Sequence, residues 1–178
     1  IGKFEQAHTG TLFLDEVSEL SQRLQGKLLR VVQERAFQRF SGDETIQVDM
    51  RLLASPGADL EKAAREERFR KDLYYRLNVI AIRIPALRER PDDILLLADA
   101  FLQEAASRHG RRNLSFKADT RELLRYHPWP GNVRELKNVV ERAVISAEGC
   151  ELAPEDLPLS PADRTEAVLR AATVEMMT

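Results

Sequence analysis

Two adjacent carboxylates, Asp15 and Glu16, follow a short apolar run, Thr11-Leu12-Phe13-Leu14. The run has no polar alternation, so it predicts a strand buried on both faces, as in the centre of a parallel sheet. Ligands of open α/β sheets bind at the carboxyl ends of strands, which is where these acids stand. One carboxylate there can hold a metal ion while the second orients a reacting water. A polar, solvated turn at the end of a strand is the alternative that the same residues allow.

The surrounding elements are those of an α/β layer. Ser21 predicts the cap of a helix running to about Gln33, with Leu24, Leu28, Val31 and Val32 on its packed face. Phe37–Phe40, Ser41-Gly42-Asp43 and Ile46–Val48 read as strand, turn and strand, a hairpin projecting from the layer. Arg51–Ala54 reads as a second short strand ending in the turn Ser55-Pro56-Gly57, with a helix from Asp59, and Val79–Ile84 reads as a third strand stopped by Pro85. Apolar strands alternating with helices imply a parallel sheet with helices on both faces.

From Pro91 the pattern becomes helical. Pro91 ahead of Asp92 and Asp93 predicts a helix start, Ile94, Leu97, Ala98 and Phe101 form its stripe, and Gly110 ends it. A second helix is expected over Ala118–Tyr126, interrupted by His127-Pro128-Trp129-Pro130-Gly131. Asn132 with Glu135 predicts a capping box for a third, whose buried face is Val133, Leu136, Val139, Val140 and Val144. Pro154, Pro158 and Pro161 read as an exit linker, and Thr165–Met177 as a last helix. The expected organisation is therefore an α/β part over 1–90, a helical part over 91–159 and a tail of unassigned role over 160–178.

Composition narrows the function classes. The 27 Lys and Arg against 29 Asp and Glu leave a net charge of -2, so no global basic field attracts nucleic acid. The single Cys150 excludes an internal disulfide and suits a reducing cytoplasm. The most apolar window, Ile94–Leu102, is interrupted by Asp99 and falls far short of the roughly 20 residues of a membrane helix. The chain opens on Ile1 rather than Met, which reads as a segment of a longer protein.

Several runs, in this order, carry a resemblance: Gly2-Lys3-Phe4-Glu5, Gly10–Glu16, Lys27-Leu28-Leu29-Arg30-Val31, Phe69–Val79, Leu87-Arg88-Glu89-Arg90 and Trp129–Leu136. From Gly2 to about Leu159 the sequence resembles the AAA+ ATPase domain of bacterial enhancer-binding proteins, the NtrC-like activators of sigma-54 RNA polymerase. The resemblance implies a partial parallel-sheet AAA+ core followed by a small all-α lid. It implies ATP and Mg²⁺ as ligands, with Asp15 on the metal and nucleotide and Glu16 on the water, the Walker B pair.

Arg70 and Arg76 match the family's candidate arginine fingers, which reach the neighbouring subunit's nucleotide in a homo-oligomeric ring of six or seven subunits. Six residues along one helix rotate a side chain by about 240°, so the two share no face unless the helix breaks between them; one is then the finger and the other structural. An ion pair of Arg76 with Asp72, four residues earlier, is the simpler reading of Arg76. Arg134 matches the lid arginine that senses the phosphates of its own subunit, an exposed helical arginine being the alternative. Trp129 and its flanking prolines read as fixing the lid's geometry. The implied partners are the sigma-54 RNA polymerase holoenzyme and, through a C-terminal helix-turn-helix outside these residues, DNA. Ala118–Ile145 imitates such a motif, but its second helix is too apolar to leave side chains for base edges.

Two departures stand against full activity. The family carries Thr-Asn where this chain has Pro56-Gly57, removing an amide able to orient water and, at Pro56, a backbone donor. No Gly-rich phosphate loop with Lys and Ser or Thr occurs in the 178 residues, and the family's sigma-contacting Gly-Ala-Phe-Thr-Gly-Ala loop would precede Ile1. The resemblance thus implies a cytoplasmic ATPase that remodels the closed polymerase complex and whose isolated segment is inactive, with a nonenzymatic AAA+ remnant or regulatory binding module as the alternative.

Overall fold

The computed structural model describes residues 2–39, 44–57 and 59–175. The chain folds as two compact units, residues 1–82 and 83–178. It is a mixed α/β protein.

In the first unit a short helix, α1 (Lys3–Gln6), precedes β1 (Thr11–Leu14), and β1 pairs in parallel with β4 (Arg51–Ala54), Phe13 standing opposite Leu53. Between them lie α2 (Gln22–Glu34) and an antiparallel hairpin, β2 (Ala36–Gln38) with β3 (Thr45–Gln47). The expected tip of that hairpin, Phe40–Asp43, lies outside the described residues. Two further helices, α3 (Leu60–Arg65) and α4 (Lys71–Leu77), complete the unit. Asp59 caps α3 by accepting the Lys62 N–H at 3.0 Å, leaving one fewer orphan donor at the helix start. The core of this unit is Leu28, Leu29, Ala63, Phe69 and Leu73, with Leu14 of β1 packed against it.

Three expectations need correction here. β1 is not buried on both faces: Leu14 turns toward the core, whereas Phe13 is 60% exposed and its partner Leu53 is 41% exposed. A parallel pair is covered on both sides only where helices supply both layers, and the open face carries Phe13 and Leu53. The run Val79–Ile84 forms no strand; Ile80 and Ile82 are 82% and 80% exposed. β-branched residues favour a strand only where a neighbouring strand accepts their backbone hydrogen bonds, and this run has no such neighbour among the described residues. On α2, Leu24 is half exposed and Gln25 is buried, so the packed face is centred one residue later than the apolar pattern predicts.

The second unit holds α5 (Pro91–Arg108), α6 (Ala118–Tyr126), α7 (Asn132–Ser146) and α8 (Pro161–Glu175). Pro91 at the first position of α5, followed by Asp92 and Asp93, fits the unpaired N–H groups and positive end of a helix start. Gly110, at φ +66°, lies just past its end. Ile94, Ala98 and Leu102 of α5 pack with Leu123 and Leu124 of α6 and with Leu136, Val140 and Val144 of α7 in one core. This unit begins before the compositional change at Pro91, because Leu87, in a single 3₁₀ turn, is completely buried in that core. Nor is it purely helical: β5 (Ser115–Phe116) and β6 (Glu151–Leu152) form a two-residue parallel pair.

The prolines from Pro154 onward do not mark a free linker. Leu157 and Leu159 enter the core, and α8 begins at Pro161, earlier than expected. The guanidinium of Arg111 caps the C-terminal end of α7, donating to the carbonyls of Ala147 at 2.6 Å and Gly149 at 2.8 Å.

His127 makes the stability of this unit depend on pH. Its Nδ1 accepts the Trp129 N–H at 3.1 Å, its Nε2 is buried without a partner among the described residues, and the residue is 2% exposed. Burial holds its pKa below the ordinary 6.5, against the opposing pull of Glu135, Asp163 and Glu166. Below that ordinary value the unfolded chain binds the proton more readily than the folded one, so stability is full above it and falls as pH drops. Unfolding free energies measured between pH 7.5 and 5.5 are expected to decline by at most about 1.4 kcal/mol per pH unit. His127→Asn should remove that part of the slope.

Candidate active site

β1 and β4 run parallel and end side by side, which brings the two turns after them together. The N–H groups of Val17 and Ser18 donate to the carbonyls of Ser55 at 3.0 Å and Pro56 at 3.2 Å, so the turn after β4 holds the turn after β1. Asp15 and Glu16 are both exposed at this end, and Asp15 Oδ1 accepts the Glu16 N–H at 3.1 Å. Glu16 has left-handed backbone geometry, φ 52° and ψ 47°. A non-glycine residue there costs of order 1–3 kcal/mol and persists only where its surroundings impose it. The bonds from Val17 and Ser18 supply that constraint.

Gly57 is the other half of the arrangement. It has φ +75°, and a Cβ at this position would lie 3.1 Å from both Cα and Cγ of Glu16. A glycine is therefore what allows the β4 turn to lie against Glu16. Gly57→Ala is expected to lower the stability of the first unit by about 1–2 kcal/mol through the left-handed backbone alone. The contact with Glu16 adds to that loss, and chemical denaturation of the chain measures the total.

Among the described residues no group of three or more His, Cys, Asp or Glu is arranged to hold a metal ion. Mg²⁺ is nevertheless commonly held by one or two carboxylates together with substrate phosphates and water, and the exposed Asp15 fits that smaller protein donor set.

Arg70 and Arg76 stand at opposite ends of α4: Arg70 is its N-cap and Arg76 lies in its last turn. Asp72 pairs with Arg70, not with Arg76 as its spacing suggested, at 2.7 Å between Nη2 and Oδ2. An N-cap has non-helical backbone, so the four-residue spacing rule does not govern its neighbours. The Arg70 guanidinium holds the Asp72 carboxyl below the usual carboxylate range, and both side chains are nearly half exposed. Arg76 is exposed and takes part in no ion pair among the described residues. Neither arginine is hydrogen-bonded or ion-paired to Asp15 or Glu16 among the described residues.

A buried glutamine that sequence patterning missed lies behind Arg70. The Gln25 amide donates to Leu20 O at 2.7 Å and Arg68 O at 3.2 Å, and its Oε1 accepts the Arg70 N–H at 2.9 Å. A glutamine beside the apolar positions of α2 was the available signal, weak because helix positions of this kind are usually solvated.

In the second unit Arg134 is exposed on the first turn of α7 and lines a cavity of about 460 Å³ with Glu135, Asn138 and Arg142. The predicted capping box is replaced by two separate contacts. Glu135 accepts the Gly131 N–H at 2.7 Å, and Asn132 Oδ1 instead accepts the Leu87 N–H at 2.8 Å. Trp129 is fully buried and its indole N–H donates to Leu124 O at 2.8 Å, tying the Trp-Pro-Gly turn to α6. No described helix is long and apolar enough to cross a membrane.

Residues 1–83 match the family model described as the sigma-54 interaction domain, and residues 88–172 match that of the AAA+ ATPase lid domain. Over 159 residues the chain is 47% identical to the transcriptional regulatory protein ZraR of Salmonella typhimurium, covering 89% of this chain and 36% of that protein. It is 52% identical over 149 residues to the formate hydrogenlyase transcriptional activator FhlA of Escherichia coli, covering 84% of this chain and 22% of the relative. The chain thus spans about a third or less of the length of these curated relatives. NtrX from Brucella abortus superposes with a TM-score of 0.84 at 31% identity, over 99% of this chain and 44% of that one, and its complex with ATP superposes at 0.82 and 33% over the same shares. With the two family models meeting at the junction of the two units, the chain belongs to the AAA+ family of sigma-54-dependent transcriptional activators.

Proposed function

We propose that these residues are the water-activating and lid portion of a ring-forming, Mg²⁺-dependent ATPase that remodels the closed sigma-54 RNA polymerase complex in the bacterial cytoplasm. The observation that carries this reading is the pair Asp15 and Glu16 at the carboxyl end of β1, held against the carboxyl end of its parallel neighbour β4. The NtrX complexes with ATP and ADP support a nucleotide as the ligand.

In this reading Asp15 holds Mg²⁺, which when bound neutralises phosphate charge. Glu16 accepts a hydrogen bond from the attacking water and aims it at the γ-phosphoryl group. Arg70 or Arg76 stabilises the charge on that group in the adjacent subunit. Arg134, on the lid, reports the phosphate state of its own subunit, so that hydrolysis moves the lid. The sheet is completed by residues outside these 178, which cover the open face at Phe13 and Leu53 and supply the phosphate loop that residues 1–178 lack. DNA contact is made by a C-terminal helix-turn-helix, also outside them.

One observation favours a second reading, a nonenzymatic remnant that binds partners without turnover: Pro56-Gly57 places no side-chain amide beside Glu16. Measuring ATP hydrolysis and open-complex formation at a sigma-54 promoter with the full-length protein separates the two. The motor requires both activities. Absence of turnover sinks it and leaves the binding module. The isolated 178 residues are expected to hydrolyse no ATP above background, because the β and γ phosphates lack their backbone cradle and lysine.

A further inference from the structure

Arg70 closes a five-residue connection, residues 66–70, between α3 and α4 in which the backbone makes no regular ladder. Glu67 in this connection has left-handed backbone, φ 58°. Such a segment holds one geometry only if something outside it does the holding. Phe69 does part of this, buried to 1% exposure among Leu28, Leu29, Ala63 and Leu73. The Ala63 carbonyl at the end of α3 accepts the Arg68 and Phe69 N–H groups at 3.0 and 3.1 Å, and the end that carries Arg70 is held by Gln25. Its amide brackets Phe69 on both sides, donating to Arg68 O and accepting from Arg70 N–H, while a second donor bond ties it to Leu20 O. Gln25 is itself 1% exposed.

Burying a glutamine costs rotamer freedom and desolvation, and only satisfied hydrogen bonds offset that cost. Here both donors and the carbonyl are used, and no apolar side chain of this size offers a donor and an acceptor together. A glutamate would lack the donors and add a buried charge. Gln22, one turn earlier on α2 and exposed, adds a weaker brace: its amide donates to Glu67 O at 3.3 Å and Arg68 O at 3.2 Å. Arg70 Nη1 in turn lies 3.9 Å from where a Cβ on Gly26 would stand, so the guanidinium leaves along the surface of α2.

We propose that Gln25 is a positioning residue for Arg70: it fixes the backbone from which the guanidinium reaches a neighbouring subunit's nucleotide, and so serves its neighbour's active site rather than its own. The inference rests on the reading of Arg70 as a finger acting in trans. A finger stabilises a transition state only at its designed distance, and misplacement by about 1 Å can cost about 10²-fold in rate.

The test uses rings of the full-length protein, with assembly checked by size-exclusion chromatography and turnover by phosphate release. Gln25→Met keeps the volume and removes the bonds. It is expected to lower kcat about 10- to 100-fold with KM for ATP little changed. Mixing then separates positioning in trans from general support of the fold. Gln25→Met subunits mixed with Glu16→Gln subunits regain turnover, because the interfaces that join an intact acid to an intact finger are restored. Gln25→Met mixed with Arg70→Ala regains none, because neither subunit supplies a competent finger. Recovery in that second mixture means that Gln25 serves its own subunit's site and overturns the proposal, as does wild-type kcat for Gln25→Met. Should Gln25→Met fail to assemble, Gln22→Ala on the surface is expected to lower kcat about three-fold with the same mixing pattern, and an unchanged kcat overturns the proposal. Wild-type turnover by Arg70→Ala alone removes the finger reading itself, an outcome distinct from any result at Gln25.

Discussion

Arg70→Ala in the full-length protein is expected to reduce kcat for ATP hydrolysis by about 10³-fold or more, the range in which arginines supplied in trans operate. KM for ATP should change little, because the charge that the guanidinium meets develops in the transition state. The structure gives a reason to expect the effect at this residue rather than at Arg76. Arg70 is the N-cap of α4 and its backbone N–H is held by a buried amide, whereas Arg76 is an exposed residue of the last helical turn. The pairing of Arg70 with Asp72 is a surface contact between half-exposed groups, worth little in water, so a neighbour's phosphates can outcompete it. Arg70→Ala subunits mixed with subunits lacking the Glu16 carboxylate should regain part of the lost turnover. If Arg76→Ala produces the larger loss and the complementing pattern, the assignment of the finger to Arg70 is wrong.

The second large effect is expected at Glu16. Glu16→Gln should lower kcat by about 10²- to 10⁴-fold, the usual contribution of a positioned acid–base group. Nucleotide affinity, measured by titration calorimetry in the presence of Mg²⁺, should be retained, since Asp15 is untouched. Glutamine is the informative substitution because it carries the same backbone demand as glutamate at φ 52° and removes only the charge. Its unfolding free energy should stay within about 0.5 kcal/mol of the parent. A loss of turnover accompanied by an equal loss of stability would indicate that Glu16 matters for the strained turn and not for the water. Glu16→Gly offers a contrast: it abolishes turnover yet relieves the left-handed backbone, so it should not destabilise the turn.

Much of this architecture was legible in the amino-acid sequence wherever its signals are local. α5 and α6 run over the residues predicted, because Pro91 with two following acids, Gly110 and His127-Pro128 state where helices begin and end without reference to anything distant. β4 is likewise bounded by its turn residues. The run Val79–Ile84 has the composition of a strand and is not one, since a strand is a relation between two segments and its partner is not among the described residues. Leu24 was expected on the packed face of α2 and Gln25 was not, because hydrophobicity says nothing about an amide that bonds three backbone groups, two of them more than forty residues away.

At the end of β1 the same division holds. Sequence alone determined that two carboxylates follow a short strand, that Arg70, Arg76 and Arg134 accompany them in a family's order, and that a phosphate loop does not. It could not state that Glu16 sits in a left-handed turn held by the carbonyls of Ser55 and Pro56, with Gly57 against its side chain. Nor could it state that Asp72 pairs with Arg70, or that Asn132 holds Leu87 instead of capping its own helix. Residue types and spacing determine which groups are available and which local conformations are cheap. Which donor meets which acceptor depends on approaches between segments as far apart as Gln25 and Arg70, and those are set only when the cores close.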